Sequence, residues 1–473
     1  MVKAIGVILC FFIGNYSLRA QSEGSYSLKE CIDIAVQQSA LVKQAKISLA
    51  QNESQAKTQK LNFLPTANLT GSHSYNFGRS IDRYSNEFVN TTIRNNYFSL
   101  NTGLMLYNGM QNQNNLQMRN YNVQAAENGL ATAQNDIALQ VSNLFLQAML
   151  AKENITIAQN QILQTQLQLE RTKKLYTAGS IDQGQVLTLE AQLANDDFNL
   201  SNAQNNLQSA KLSLRSLLLL KATESFELSS NDSMAIQPLP ITDIAVIYAN
   251  ALSAMPQIAQ AEAQVKSAEA SYRATLGARA PSINAYANLS TVYSGNAKEI
   301  TSTVPTGTQT IAVVKGTNEE VIVPTFQYNT QTIGFAEQAK SNFGQSVGVQ
   351  ANIPIFNGNQ VNNAILNSET NLQLTKLNAE TLKQQLYNDI ATAVFNANAS
   401  YNKYEAAKKS SLAQEQSNDF SEKRYTAGLL NYYDYNNARN LYLNAINNLQ
   451  SAKYEYLFRK MIVDFYQDNT WKF

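Results

Sequence analysis

The sequence predicts a mixed, mainly α-helical fold in which long antiparallel coiled-coil hairpins accompany four β-strands. Three observations indicate this fold. The residues Tyr-Thr-Ala-Gly at 176–179 recur 249 positions later at 425–428, so half of the chain is repeated. Apolar residues with a coiled-coil period surround both copies, and four other segments alternate apolar and polar residues. Each copy ends in glycine, which tolerates the left-handed conformation that ends a helix.

The first residues have the pattern of a secretory signal. Lys3 provides a positive charge, an apolar stretch runs from Ala4 to Ile13, and Ala20 is a small residue at the expected cleavage point. Ten apolar residues are too few to cross a bilayer as a helix. The stretch therefore predicts export rather than a membrane anchor.

The repeat predicts how the chain is divided. The second half has 33 more residues between Pro281 and Phe356 than the first half has between Pro65 and Tyr107. We expect a longer loop there, because long loops cost little additional entropy. The predicted boundaries are 1–20 for the signal, 21–220 for the first repeat, 221–243 for the linker and 244–473 for the second repeat.

Composition limits the partners of the chain. The formal net charge is +1 and only 15% of residues are charged, so binding to nucleic acid or another polyanion is not favoured. Asn, Gln, Ser and Thr carry the polarity, which suits a wall that faces water without a strong field. Cys31 is the only cysteine outside the predicted signal, so it has no partner for an internal disulfide, and we expect a buried helix residue.

Four segments alternate as β-strands with one apolar face do. Each has about 10–12 residues, the length that crosses a membrane as a tilted strand. Aromatic residues such as Tyr75, Tyr107 and Tyr293 lie toward the segment ends. The residues of the apolar faces are Ala67, Leu69, Gly71, Tyr75 and Phe77 in the first segment; Phe98, Leu100, Leu104 and Leu106 in the second; Ile283, Ala285, Ala287 and Leu289 in the third; and Val347, Val349, Ala351, Ile353 and Ile355 in the fourth.

The number of strands predicts an oligomer. Four strands cannot enclose a water-filled barrel, because barrel diameter grows with strand number, and an open sheet is not tolerated in lipid. If these strands span a membrane, several chains therefore share one barrel. Two alternatives remain, namely a soluble β-sandwich that buries the apolar strand faces and an ordinary elongated coiled-coil protein.

Each repeat contains one predicted helix of 67 residues, from Gly109 to Tyr176 and from Gly358 to Tyr425. Apolar residues of the first helix are spaced alternately by four and three, which is typical of a coiled-coil seam. Four long helices are too extended for one compact core, so we expect lateral neighbours. The seam residues are Ile137, Val141, Leu144, Ala148, Ala151, Ile155, Ala158 and Ile162 in the first helix, and Leu386, Ile390, Ala393, Ala397, Tyr404 and Ala407 in the second.

The order of these features resembles the TolC-like outer membrane efflux protein family over essentially the whole mature chain. The features are the signal, the duplicated helix–strand–strand–helix–turn–helix order, the sequence Pro-Ile-Phe-Asn-Gly at 354–358 and the paired Tyr-Thr-Ala-Gly turns. The resemblance implies a homotrimer with a shared twelve-strand β-barrel in the outer membrane of a Gram-negative-type cell. It also implies that the helical hairpins form an α-barrel that extends through the periplasm.

The resemblance further implies a function. The trimer would be the passive, tip-gated exit duct of a tripartite efflux or type I secretion system that carries small molecules or polypeptides. Its partners would be a periplasmic adaptor (membrane fusion) protein, an inner-membrane RND or ABC transporter and outer membrane lipid. A periplasmic adaptor or a structural coiled-coil protein without a channel is the alternative function.

The resemblance assigns roles to residues near the two turns. In the family, an acidic residue six positions after the turn glycine narrows the closed pore, and Asp434 matches it, whereas the first repeat has Gln185. The expected basic residue is replaced by Leu430, so we expect tyrosines and packing to close the tip. Pore constriction candidates are Asp434, Tyr425, Gln185, Asn437, Tyr432 and Tyr433; adaptor contact candidates are Tyr176, Gly179, Ser180, Gly428, Leu429 and Leu430.

Catalytic chemistry is not predicted. His73 is the single histidine, and its place in the alternation puts it on the apolar strand face. The sequence has no paired metal-ligand spacing and no glycine loop that would hold a phosphate. We therefore expect no enzyme activity, no cofactor and no metal site.

Overall fold

The computed structural model describes residues 25–81, 88–90, 92–220, 226–229, 236–239 and 243–468. The predicted signal lies outside the described residues, as do much of the predicted linker and the last five residues.

The same order of long elements occurs in both halves of the chain. The first half contains β1 (Ser25–Tyr26), α1 (Leu28–Gln38), α2 (Ala40–Leu61), β2 (Thr66–Asn76), β3 (Arg79–Ile81), β4 (Phe88–Asn90), β5 (Ile93–Asn108), α3 (Gln111–Thr177) and α4 (Gln183–Leu218). The second contains β6 (Glu227–Leu228), α5 (Ile244–Ala254), α6 (Pro256–Leu276), β7 (Ser282–Ser294), β8 (Lys298–Val313), β9 (Glu320–Thr332), α7 (Phe335–Ser341), β10 (Gly344–Asn352), α8 (Gln360–Thr426) and α9 (Tyr432–Asp468).

The long hairpins confirm the prediction of a mainly α-helical fold. Helices α3 and α8 have 67 residues each, the predicted length. Both start after a glycine with positive φ, 65° at Gly109 and 63° at Gly358. Most seam residues are buried or partly buried, including Ile137 and Val141 in α3 and Ile390 in α8. None of the described helices combines the length and apolar character of a membrane-spanning helix.

Two related apolar cores hold the hairpins. In the first, α1 packs against α3, α4 and α9, and Cys31 lies within this core with no exposed surface. The prediction of a buried helix residue is therefore confirmed, and burial raises the pKa of the Cys31 thiol to about 12. In the second core, Ile247 of α5 packs with Leu386 and Ile390 of α8.

The four predicted strand segments form one antiparallel sheet in the order β10-β7-β5-β2. The alternative of a β-sandwich is wrong for the described residues, because these strands form a single layer. The register aligns like residues in rows across the sheet. One row joins Leu69, Leu100 and Leu289 and continues to Gln345 in β10, and the adjacent polar row on the other face is Asn68, Asn101, Asn288 and Ser346.

The longer loop expected between the third and fourth strand segments is instead largely ordered. It contains an antiparallel hairpin of β8 and β9, with 16 and 13 residues, followed by α7. Helix α7 packs against the sheet, where the ring of Phe335 contacts Phe98 and Tyr293 at centroid distances of 6.1 and 5.7 Å. The fully buried side chain of Gln338 hydrogen-bonds the backbone of Ser294.

The described residues form two compact units. The helical unit consists of described residues within 1–51, 124–263 and 377–473, and it contains both hairpin turns. The strand unit consists of described residues within 52–123 and 264–376, and it contains the four-stranded sheet and the β8–β9 hairpin.

Candidate functional site at the hairpin turns

The two hairpin turns have the same backbone geometry. Gly179 and Gly428 have φ of 73° and 75°, the left-handed region that favours glycine. In the first turn, the Ser180 amide donates to the Leu175 carbonyl over 2.9 Å, and the equivalent bond of the second turn is also 2.9 Å. Both turns therefore end their helices in a Schellman motif.

The surfaces of the turns are open. No heavy atom lies within 4 Å of a Cβ built on either Gly179 or Gly428. Among the predicted adaptor contacts, Tyr176, Ser180 and Leu429 are exposed, and 71% of Leu429 is accessible. Leu430 is half-buried. The turns therefore expose backbone and apolar surface.

Each return helix begins with a side-chain cap. Asp182 accepts from the Gly184 amide over 2.7 Å at the start of α4. At the start of α9, the Asn431 carbonyl oxygen Oδ1 accepts from the Asp434 amide over 2.9 Å, and Asn431 Nδ2 donates to the Asp434 carboxylate over 2.9 Å. Asp434 is exposed in the first helical turn, where the helix dipole favours a negative charge.

The other predicted pore residues differ in exposure. Tyr433 is 80% exposed and Asn437 is also exposed, so both present their side chains outward from α9. Gln185 is half-buried in the first turn of α4, where its Nε2 donates to Asp182 over 3.4 Å.

Three tyrosines form a cluster inside the second turn. The rings of Tyr425 and Tyr435 are parallel, with an interplanar angle of 3° and centroids 5.0 Å apart. Tyr432 meets both rings at steep angles, with centroids at 6.0 and 6.5 Å. Tyr435 was not predicted from the sequence, although it lies three residues after Tyr432 and therefore on the same helix face.

The tyrosine cluster adjoins the core of the first hairpin. Tyr432 packs on the apolar group of Leu169, Val186 and Leu189, which belongs to α3 and α4. Burial raises the pKa of Tyr432 to about 12 and also raises the pKa of Tyr435. Both hydroxyls therefore stay neutral at physiological pH. The guanidinium of Arg171 in α3 also donates to the Thr426 carbonyl of the second turn over 3.0 Å.

A buried polar network joins the hairpins farther from the turns. Arg439 of α9 is only 4% exposed, and its Nη2 donates to Thr165 Oγ1 over 2.9 Å and to the Gln161 carbonyl over 3.0 Å. The Thr165 hydroxyl in turn hydrogen-bonds the carboxylate of Asp196, which is 2% exposed. Gln192 donates to the other Asp196 oxygen over 2.8 Å. The network therefore connects α3, α4 and α9.

The sequence analysis did not predict this network, although the spacing of residues around Asp196 indicates it. Asp196 lies seven residues after Leu189 and seven before Ala203, both of which are buried in the helical unit. A carboxylate at a heptad position that is otherwise apolar is expected to be buried, and a buried carboxylate needs a polar partner.

No metal centre accompanies the turns. Among the residues that the structure describes, no three or more His, Cys, Asp and Glu side chains are grouped to hold a metal ion.

Comparison with known proteins shows a similarity to an outer membrane protein. The outer membrane protein TolC of Escherichia coli (strain K12) is 23% identical over 333 residues, which cover 70% of this chain and 61% of TolC. The chain thus spans less than two thirds of that relative.

Solved structures share the fold of the chain. CusC superposes with a TM-score of 0.74 at 16% identity, and 95% of each chain is covered. The Campylobacter jejuni CmeC outer membrane channel superposes with a TM-score of 0.73 at 15% identity, covering 94% of this chain and 86% of CmeC. VceC of Vibrio cholerae superposes at 0.71, with 15% identity and coverage of 94% and 97%.

The sequence profile of the family described as outer membrane efflux protein matches residues 31–218 and 247–459, which include the first hairpin, all four strands of the sheet and most of the second hairpin. The chain therefore belongs to the outer membrane efflux protein family.

Proposed function

We propose that the chain forms the exit duct of a tripartite efflux or type I secretion system in the outer membrane of a Gram-negative-type cell. In this proposal three copies share one β-barrel, and their helical hairpins extend through the periplasm toward an adaptor and an inner-membrane RND or ABC transporter. Small molecules or polypeptides pass through the pore without any chemistry by this chain.

The proposal rests on the two edges of the four-stranded sheet, which have no neighbouring strand. Strands β2 and β10 each pair on one side only within the described residues. Lipid does not tolerate a free strand edge. Pairing of β2 in one copy with β10 in the next satisfies both edges, and three copies give twelve strands.

The two faces of the sheet suit such a barrel. The row of Leu69, Leu100 and Leu289 provides an apolar surface for lipid, and the Asn68, Asn101 and Asn288 row provides an uncharged polar surface for water. The sheet strands have 9 to 16 residues, and a tilted strand needs about 9 residues or more to cross a membrane.

The turns are proposed as the periplasmic tip. Asp434, Asn437, Gln185 and Tyr433 are the proposed pore lining, and repetition around a three-fold axis would bring the Asp434 carboxylates together as a cation-attracting ring. The cluster of Tyr425, Tyr432 and Tyr435 supports closure by fixing the second turn. The proposed adaptor contacts are Tyr176, Gly179, Ser180, Gly428, Leu429 and Leu430.

The decisive experiment is the native mass of protein extracted from outer membranes in mild detergent. Three copies are expected, and the trimer should then conduct ions across a planar bilayer. A single copy would overturn the proposal, because four strands would have no barrel to join.

A further inference from the structure

The hairpin of β8 and β9 is exposed along nearly its whole length. All 16 residues of β8 and all but one of the 13 residues of β9 are exposed. The hairpin follows β7 in the chain and, through α7, precedes β10, an edge strand of the sheet. It is therefore continuous with the edge that is proposed to pair with a neighbouring copy.

One face of the hairpin carries its aromatic side chains, whereas the other carries smaller apolar residues such as Val321 and Val323. Cross-strand pairing places Phe326 opposite Pro305 and Tyr328 opposite Thr303, and side chains of paired residues lie on the same face. Ile322 follows the same alternation along β9. These three β9 side chains are 43–55% exposed. We name this surface, formed by Ile322, Phe326 and Tyr328 with Pro305, the aromatic face.

Charge in the paired strands of the hairpin is confined to their ends, at Lys298, Glu299 and Glu320. Residues 300–313 and 321–332 contain no Asp, Glu, Lys or Arg. Natural proteins protect exposed strand edges with charges, above all lysine, or cover them. A two-stranded hairpin is marginally stable in water unless a face is packed. A hairpin that is uncharged between its ends and has an aromatic face therefore needs a covering surface.

We infer that the aromatic face is covered by the same hairpin of neighbouring copies in the trimer. The inference rests on the proposed function, since it requires three chains around one axis. The absence of charge between 300 and 313 and between 321 and 332 means that copies meet without electrostatic repulsion.

The length of the hairpin supports contact between copies. Thirteen residues of β9 span about 43 Å at about 3.3 Å per residue. A barrel of twelve strands, spaced about 4.8 Å apart and tilted by about 40°, has a diameter of about 24 Å. The points at which the three hairpins leave this barrel are therefore about 20 Å from one another. Each hairpin is about twice as long as the gap to its neighbour.

Cysteine variants test the inference in the purified trimer. In a Cys31→Ala background, Phe326→Cys is expected to react with a water-soluble maleimide about tenfold more slowly than Gln327→Cys. Gln327 is the matched control, because the adjacent residue of a strand lies on the opposite face. A short bismaleimide should link Phe326→Cys chains into covalent dimers and leave Gln327→Cys chains unlinked. Tyr328→Cys is the second test position if Phe326→Cys does not assemble.

Three outcomes would overturn the inference. Fast labelling of Phe326→Cys in the trimer would mean that the aromatic face is open to solvent. Slow labelling without covalent dimers would mean that lipid or another part of the same chain covers it. Covalent dimers formed equally by Gln327→Cys would mean that collision, not packing, produces the link. The native mass of the wild type separates these results from failure of the proposed function, because only a monomer contradicts the trimer itself.

Discussion

Tyr425 and Tyr435 stack with their rings parallel, and they thereby connect the last turn of α8 to the first turns of α9. The two residues lie on either side of the Gly428 turn, so the stack fixes the direction in which the chain returns. Tyr432 extends the same cluster to the core of the first hairpin.

We expect Tyr435→Ala to loosen the second turn. Removing a buried aromatic side chain costs about 3 kcal/mol, and the stacked pair adds about 1 kcal/mol. Tyr435→Phe keeps the ring and should cost less than about 1 kcal/mol. If the tip closes the pore, single-channel conductance in bilayers should rise for Tyr435→Ala only. Phe420→Ala, at a 68% exposed position of α8, is the packing control. Equal conductance of all three variants would contradict a role of the cluster in closure.

The Arg439 network should be a major source of hairpin stability. Arg439→Ala removes the buried positive charge that is hydrogen-bonded to the Asp196 carboxylate through Thr165, and leaving that buried carboxylate uncompensated costs about 3 kcal/mol. Replacing both residues by leucine should recover most of that loss. Lys423→Ala, which breaks an exposed pair with Asp419, should cost about 0.5 kcal/mol or less. Denaturation midpoints of the purified trimer measure these differences, and an Arg439→Ala midpoint equal to that of Lys423→Ala would refute the prediction.

Asp434→Asn is expected to lower cation preference in bilayer recordings. The substitution removes the charge, yet the new amide oxygen still accepts the bond that Asn431 donates. Asn437→Asp adds a carboxylate one helical turn later and should shift the reversal potential in the opposite direction. If neither variant moves the reversal potential, Asp434 and Asn437 do not line the pore.

Stability of the helical unit should fall at alkaline pH in a way that depends on Tyr432. Its pKa is about 12 in the folded chain against 10.0 as the ordinary value. The buried, neutral hydroxyl therefore contributes stability that is complete below pH 10 and is lost as pH rises toward 12. Tyrosinate absorbance together with thermal melting at pH 9 to 12 measures the effect. Tyr432→Phe should show a shallower decline than the wild type, and identical profiles would contradict the assignment.

The long helices and the four sheet strands could be predicted because their signals are local. Heptad spacing defined α3 and α8, and strict alternation defined β2, β5, β7 and β10. The β8–β9 hairpin was missed because irregularities next to Ile300, Pro305 and Thr310 interrupt the period of two, and because neither face is buried.

The site could be predicted only in part. The Tyr-Thr-Ala-Gly repeat identified both turns, since a glycine at the end of a helix is a signal within a few residues. Tyr435 was not predicted, because its ring stacks on Tyr425 only when the turn brings α9 against α8. The Arg439 network was not predicted, because its residues lie far apart in the sequence, on three helices.

The equal length of α3 and α8 constrains how such a chain changes during evolution. An added residue advances a helix by about 1.5 Å and turns it by about 100°. Seven residues inserted in α3 alone would carry Arg171 about 10 Å away from the Thr426 carbonyl that it now contacts. The two halves are thus tied to a common length, and a descendant that serves a deeper or shallower cell envelope has to gain or lose whole heptads in both halves together.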